Sequence, residues 1–289
     1  MIKKAVIPAA GFGTRFLPVT KSQPKEMLPV IDKPVIQYVV EEAVESGITD
    51  ILMIIGKGKR SIEEHFDRNY ELENELAIKN KEEQLQEVRK ITGLANIHFV
   101  WQKELNGLGD AISYAKHHVG REPFAVLLGD TIIKSEQPLL KNLASIFERY
   151  GDSVVALEEV DPAIVSRYGV IGGDEIEKDL YAINQLIEKP KADEAPSNLV
   201  FAGRYIFAPE IFDCIDQTPP GINNEIQLTD AMRLLQKTNK LYGHRFSGKR
   251  FDIGNKLDFI KTNIVLGLER EDMNGDLKQF ILNLAKEIS

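Results

Sequence analysis

The apolar residues of the chain fall into two kinds of group. Short unbroken runs occur at Ala5-Val6-Ile7, Ile51-Leu52-Met53-Ile54-Ile55 and Phe124-Ala125-Val126-Leu127-Leu128. Such runs suit parallel strands covered on both faces, although periodicity alone does not separate a strand from a buried helix segment. Ile97 to Trp101, Ser153 to Val160 and Asn198 to Ala208 read as further strands. From Val35 to Val44 the apolar positions recur at helical spacing instead, with Pro34 suited to a first turn and Gly47 to a C-terminal cap. Strand, loop, helix and strand make a parallel β-α-β unit, and ligands of such units sit at the carboxyl ends of the strands.

Other stretches add detail. Gly56-Lys57-Gly58-Lys59-Arg60 is a basic turn, either a phosphate contact or a solvated loop before a helix. Ser61 and Glu64 have the spacing of a capping box for that helix. Tyr70 to Lys90 mixes acidic and basic residues throughout and reads as an exposed helical excursion. Lys256 to Gly267 predicts a helix, with either Asp252 or Asn255 as its cap, and Phe280, Ile281 and Leu284 predict a last one. No repeat or linker divides the chain. The expected fold is α/β, a mainly parallel Rossmann-like sheet with helices on both faces. A small β-rich annex is expected over roughly residues 160 to 250, within a single domain spanning 1–289.

Composition narrows the class of partner. The 289 residues are 43% hydrophobic and 28% charged, which is ordinary for a globular protein that folds in water. A formal net charge of −8 speaks against nucleic acid and membrane surfaces as partners, but leaves room for a locally basic nucleotide pocket. Cys214 is the single cysteine, so no internal disulfide can form. With no apolar leader segment near the start, the expectation is a cytoplasmic protein.

Candidate chemistry begins where the first strand ends, at Ala9-Ala10-Gly11-Phe12-Gly13-Thr14-Arg15. Small residues let backbone N–H groups approach a ligand closely, and successive N–H groups form a nest for anions. Arg15 and Lys25 add fixed positive charge suited to phosphates. No G-K-[ST] closes the loop, so it is not a Walker A loop. Phe16 stands where a dinucleotide fingerprint needs its third glycine. Gly11 and Gly13 by themselves are equally a tight turn. Gln102 ends a strand and offers both an amide donor and an acceptor to a base edge, whereas the bland reading is a surface glutamine before a glycine loop. Asp130 ends the clearest strand, either to cap a turn or to share a Mg²⁺ ion with phosphate oxygens.

The run from Pro8 to Pro29, PAAGFGTRFLPVTKSQPKEMLP, resembles the signature of the sugar-1-phosphate nucleotidylyltransferases, and the resemblance extends from Lys3 to about Leu268. Arg167-Tyr168-Gly169-Val170-Ile171 and Gln185 to Pro190 resemble that family's sugar-site motifs. Glu225-Ile226-Gln227-Leu228-Thr229-Asp230-Ala231 resembles its uridylyl branch. The resemblance implies transfer of a uridylyl group from UTP to α-D-glucose 1-phosphate, with release of pyrophosphate. It implies nucleotide binding by Ala9, Ala10, Gly11, Gly13, Thr14, Gln102 and Gly107. Sugar binding falls to Gly169, Glu188, Lys189 and Gly203, and catalysis to Arg15, Lys25, Asp130 and Lys189. Mg²⁺ is expected on Asp130, with Asp252 as a second carboxylate, and the assembly is expected to be a homodimer or homotetramer. Thr229 and Asp230 suit a structural role as well as a catalytic one. Three positions depart from the family pattern: Asp110 in place of His, Thr131 in place of a second Asp, and Asn224 where Gly is usual. They keep two rivals open, the same chemistry on another sugar or nucleotide, and a sugar-nucleotide-binding paralogue without turnover.

Overall fold

The computed structural model describes residues 2–288. The chain runs β1 (Lys4–Ala9), a small ribbon of β2 (Pro29–Val30) and β3 (Lys33–Pro34), α1 (Val35–Glu45), β4 (Asp50–Ile55), α2 (Arg60–Phe66), α3 (Tyr70–Ile78), α4 (Glu82–Thr92) and β5 (Asn96–Trp101). Next come α5 (Leu108–Ser113), α6 (Lys116–Val119), β6 (Phe124–Leu127), β7 (Thr131–Lys134), α7 (Leu139–Tyr150) and β8 (Ser153–Glu159). The remainder is β9 (Gly169–Glu177), β10 (Leu180–Glu188), β11 (Leu199–Phe207), α8 (Ile211–Gln217), α9 (Leu228–Leu235), β12 (Leu241–Arg245), β13 (Lys249–Asp252), α10 (Lys256–Gly267) and α11 (Asn274–Ile288).

A nine-stranded sheet of order β5-β4-β1-β6-β11-β8-β12-β10-β9 organises the molecule. Its first four strands are parallel, as the apolar runs predict. The sheet as a whole is mixed, not mainly parallel, because β11 runs antiparallel to both β6 and β8. Every residue of β11 is buried. A continuous apolar run reports cover on both faces and carries no mark of direction. The strands between residues 160 and 250 extend this same sheet: β9 to β12 all hydrogen-bond into it, and β13 pairs with β7 in a ribbon beside it.

Alternation along the strands explains the layers. Ala5, Ile7 and Ala9 of β1 face one core with the apolar sides of α1, α2 and α7, while Val6 faces another with α5, α8 and α9. A third cluster, Phe16, Leu28, Val35, Phe251 and Leu266, packs α10 against the loop that follows β1. Gly47 follows α1 at φ +85, the left-handed conformation of a helix stop.

The capping box predicted at Ser61 does not form. Helix α2 starts at Arg60, so Ser61 already lies inside its first turn, and the Ser61 hydroxyl is buried without a partner. Glu64 pairs with Arg60 at 2.8 Å instead. The preceding loop is not wholly solvated either, because Lys59 is buried against Glu26 at 2.7 Å. The charged excursion is two helices, α3 and α4, broken where Asn80 turns left-handed at φ +54. At α10, Asn255 accepts from the Asp258 N–H at 3.0 Å and is the cap, which leaves Asp252 for other work. Among the described residues no helix is long and apolar enough to cross a membrane.

One buried cation ties these layers to the turn after β6. Arg204 of β11 is fully buried and donates to both oxygens of Glu42 on α1, the closest contact being 2.7 Å. It also donates to the carbonyls of Leu128 and Thr131, at 3.4 and 2.8 Å, and so holds both ends of the turn that carries Asp130. Removing one member of a buried pair strands the other's charge and costs about 3–5 kcal/mol. Arg204→Met is expected to lose stability of that order in urea unfolding, and adding Glu42→Leu to regain part of it. A single variant as stable as the wild type would show that the pair holds nothing.

Candidate active site

The carboxyl ends of β1, β5 and β6 open onto three adjoining recesses. The first, of about 590 Å³, is lined by Ala9, Ala10, Gly11, Gly13, Thr14, Lys25, Gln102, Gly107 and Asp130. The second, of about 300 Å³, is lined by Arg15, Asp130, Gly169, Glu188, Lys189, Gly203 and Asp252. Between them a recess of about 230 Å³ holds Gly13, Thr14, Arg15, Lys25 and Asp130. All the candidate residues therefore come together, and Asp130 alone lines all three spaces. A larger hollow, about 740 Å³, is lined by Tyr38, Glu41, Glu45 and the start of α7 and contains none of them.

Asp130 sits where β6 gives way to a turn. The Leu128 N–H donates to the Gly203 carbonyl at 3.0 Å, and the Asp130 carbonyl accepts from Ile253 N–H at 3.0 Å. The β7–β13 ribbon places Asp252 opposite Thr131, beside Asp130 though far away in sequence. Lys25 donates to Asp130 at 2.5 Å. Burial opposes the charge on Asp130, yet the Lys25 ammonium outweighs it and holds the carboxyl below its ordinary range. Burial likewise works against charge on Lys25, and the facing Asp130 and Glu26 overcome it, raising the ammonium's pKa. Asp252 goes the other way: burial, and then the negative charge of Asp130, push its pKa up. Thr131 offers no second carboxylate, and its hydroxyl reaches Asp130 only at 3.5 Å.

Two carboxylates that repel each other in a partly buried site are a donor set for a divalent cation. Such ions take one or two carboxylates and complete their shell with phosphate oxygens and water. Among the described residues no cluster of three or more protein ligands occurs, so Asp130 and Asp252 fit an ion shared with substrate but not an all-protein cage.

On the far side, Glu188 and Lys189 meet at 3.0 Å, and Thr229 donates to Glu188 at 2.6 Å. Tyr168 donates its hydroxyl to Asp252 at 3.1 Å, and the Arg250 guanidinium lies over the Tyr168 ring at 4.5 Å. Burial, and then the charge of Asp252, raise the Tyr168 pKa. Sequence reasoning assigned no role to Tyr168 and Arg250. Tyr168 lies inside the stretch from Arg167 to Ile171, one residue before Gly169, and Arg250 lies two residues before Asp252. Arg204, Glu42 and the buried Glu26–Lys59 pair left no local signal at all.

Three of the candidate glycines, Gly107, Gly203 and Gly169, are needed for reasons internal to the protein. Gly107 has φ +102, and a Cβ there would lie 2.8 Å from the Glu225 side chain and 2.9 Å from the Ile226 carbonyl. Gly203, at φ +81, sits in the bulge of β11 against Leu128. At Gly169 a Cβ would strike the Phe201 ring at 2.6 Å before any ligand is considered. Asn224 adopts φ +60, a conformation open to Gly and, among other residues, most readily to Asn and Asp, which accounts for that departure.

Recesses at the strand ends, lined by a glycine loop, Lys25, Arg15 and two carboxylates, have the chemistry of a site for phosphate-bearing ligands, as in nucleotide-handling transferases. The sequence profile of the nucleotidyl transferase family matches residues 4–266, and the chain belongs to that family. A Staphylococcus epidermidis protein described as UTP–glucose-1-phosphate uridylyltransferase is 51% identical over 283 residues, 98% of each chain. A Staphylococcus haemolyticus protein of the same description is likewise 51% identical over 283 residues and 98% of each chain. Among solved structures, a UDP-glucose pyrophosphorylase complexed with UDP-glucose superposes with a TM-score of 0.86 at 44% identity, over 93% of this chain and 100% of that one. The UTP-bound enzyme from Acinetobacter baumannii gives 0.91 at 41% identity, over 98% and 100%.

The glycine geometry predicts a contrast. Gly107→Ala forces a left-handed alanine against backbone and is expected to cost about 1–3 kcal/mol. At Gly11 a Cβ meets nothing within 4 Å, so Gly11→Ala is expected to stay within about 0.5 kcal/mol of wild type. Urea midpoints measure both, and equal losses at the two positions would refute the distinction.

Proposed function

We propose that this protein is a UTP–glucose-1-phosphate uridylyltransferase. A phosphate oxygen of α-D-glucose 1-phosphate attacks the α-phosphorus of UTP. A new P–O bond forms, the bond to the β-phosphate oxygen breaks, and pyrophosphate leaves. The attacking oxygen already carries negative charge at neutral pH, so no general base or covalent residue is required. Catalysis is then positioning and charge neutralisation.

The observation that carries this reading is the position of Asp130 at the junction of the three recesses, with Lys25 against it. The first recess takes the nucleotide, with uracil at Gln102, Gly107 and the backbone of Ala9 and Ala10, and phosphates along Gly11, Gly13 and Thr14. The second takes the sugar, whose hydroxyls meet Glu188 beside Gly169 and Gly203, and whose phosphate meets Lys189. Arg15 borders the second and third recesses and holds the departing pyrophosphate. Lys25 steadies charge at the reacting phosphorus. We assign Asp130 and Asp252 as the residues that hold Mg²⁺, which when bound offsets phosphate charge. We place the reaction in the cytoplasm, in keeping with the free thiol of Cys214. We extend the proposal to a homodimer or homotetramer. Leu257, Ile260 and Ile264 lie exposed on one face of α10 with Leu268 just past its end, and Phe280 and Leu284 lie exposed on α11.

The direct test is pyrophosphate release from a matrix of nucleoside triphosphates against glucose, galactose, N-acetylglucosamine and mannose 1-phosphates. UTP with glucose 1-phosphate is expected to be the best pair, and an optimum at any other pair sinks the assignment. The division of charge makes a second prediction. Lys189→Ala is expected to raise KM for the sugar phosphate about tenfold or more while leaving that for UTP within a factor of a few, since it removes a charge-assisted contact on one side only. Arg15→Ala is expected to weigh on UTP and on kcat instead. Equal effects on both substrates from both variants would overturn the division.

A further inference from the structure

Gln102 is 6% exposed, and its side-chain nitrogen is already committed. Nε2 donates to the Asp110 carboxylate at 2.6 Å and, more weakly, to the Gly107 carbonyl at 3.4 Å. Among the described residues the carbonyl oxygen Oε1 accepts no hydrogen bond. The backbone fixes both ends of this arrangement. Gln102 directly follows β5, where its N–H donates to the Ile55 carbonyl at 2.9 Å, and Asp110 lies in the first turn of α5. An amide offers two donors on one end and an acceptor on the other, and hydrogen-bond partners decide which way it points. A carboxylate has only acceptors to offer. With Asp110 beside it, the nitrogen end must face the protein, and the oxygen end is left for the cleft that Gln102 lines.

We propose that Asp110 is a positioning residue that orients the Gln102 amide, so that the cleft presents an acceptor to the middle of the base edge. This rests on the uridylyl-transfer reading above and explains what the Asp110 departure does. Uracil shows acceptor, donor, acceptor along O4, N3–H and O2, so its N3–H donates to Oε1. Cytosine carries a bare lone pair at N3, which meets the Oε1 lone pair and finds no hydrogen. The orientation therefore selects UTP against CTP without excluding dTTP, which has the same edge as UTP. Without the carboxylate the amide can turn over, and Nε2 then donates to cytosine N3.

The test is Asp110→Asn, nearly isosteric, with Asp110→Ala beside it. For each, kcat/KM is measured with UTP, CTP and dTTP against glucose 1-phosphate, and Kd for each nucleotide by calorimetry. An asparagine can give as well as accept, so both amide orientations become available. The UTP/CTP ratio is expected to fall roughly tenfold or more, since leaving or satisfying one buried polar partner carries that weight. CTP is expected to improve in absolute terms, while the UTP/dTTP ratio stays constant. In a Gln102→Leu background, Asp110→Asn is expected to leave the UTP/CTP ratio unmoved. An unchanged ratio in a folded Asp110→Asn protein, or parallel losses for UTP and CTP, overturns the proposal. A wild type that releases no pyrophosphate from UTP and glucose 1-phosphate sinks the assigned reaction instead, and the Kd ratio for UTP and CTP still decides on Asp110.

Discussion

The guanidinium of Arg204 is the constraint on which the remaining geometry depends. Fully buried, it answers Glu42 from α1 and the carbonyls of Leu128 and Thr131 from the turn after β6. A buried cation costs several kcal/mol in desolvation unless its donors are met, so the turn has little freedom to drift. That turn presents Asp130, and its Thr131 end starts the ribbon that brings Asp252 alongside. The position of the candidate reacting centre is thus set from behind, by a residue that is not among those lining the recesses.

The electrostatics at the front follow from that placement. Two carboxylates share a partly buried site, one pKa held down by Lys25 and the other pushed up by burial and by its neighbour. Lys25 is itself held between Asp130 and Glu26, and Glu26 is shared with the buried Lys59. The result is an alternating chain of charge that ends in two carboxylates. On the proposed reading those carboxylates hold the cation and the basic loop facing them holds the polyanionic substrates. On the proposed reading, charge neutralisation is the larger part of the chemistry, which agrees with a site built of Arg, Lys and Asp and without a histidine.

Much of this was legible in the residues. The apolar runs marked β1, β4, β5 and β6, and the turn residues after them marked the recesses to which the candidates come. What escaped shares a physical cause: it is decided by partners distant in sequence. The direction of β11 is invisible because burial on both faces looks the same either way round. Arg204 reads as a strand residue until Glu42, 162 positions away, is seen to meet it. Ser61 and Glu64 satisfy a local capping rule, but the chain starts its helix at Arg60 while Lys59 is drawn into the core. The choice between Asp252 and Asn255 as a cap was open locally, and the antiparallel pairing of β13 with β7 resolved it. Gly107, Gly203 and Gly169, which line the recesses, are required also by Glu225, Ile226, Leu128 and Phe201, neighbours that no local pattern announces.

The central claim is that nucleotide, sugar phosphate and metal converge on Asp130. Anomalous scattering from crystals grown with UDP-glucose and Mn²⁺ tests it most directly. The account predicts a manganese peak between Asp130 and Asp252, uracil against Gln102, glucose against Glu188, and the Lys25 ammonium moved from Asp130 onto phosphate. Manganese bound away from both carboxylates, or UDP-glucose seated in the larger hollow beside Tyr38 and Glu45, would contradict it.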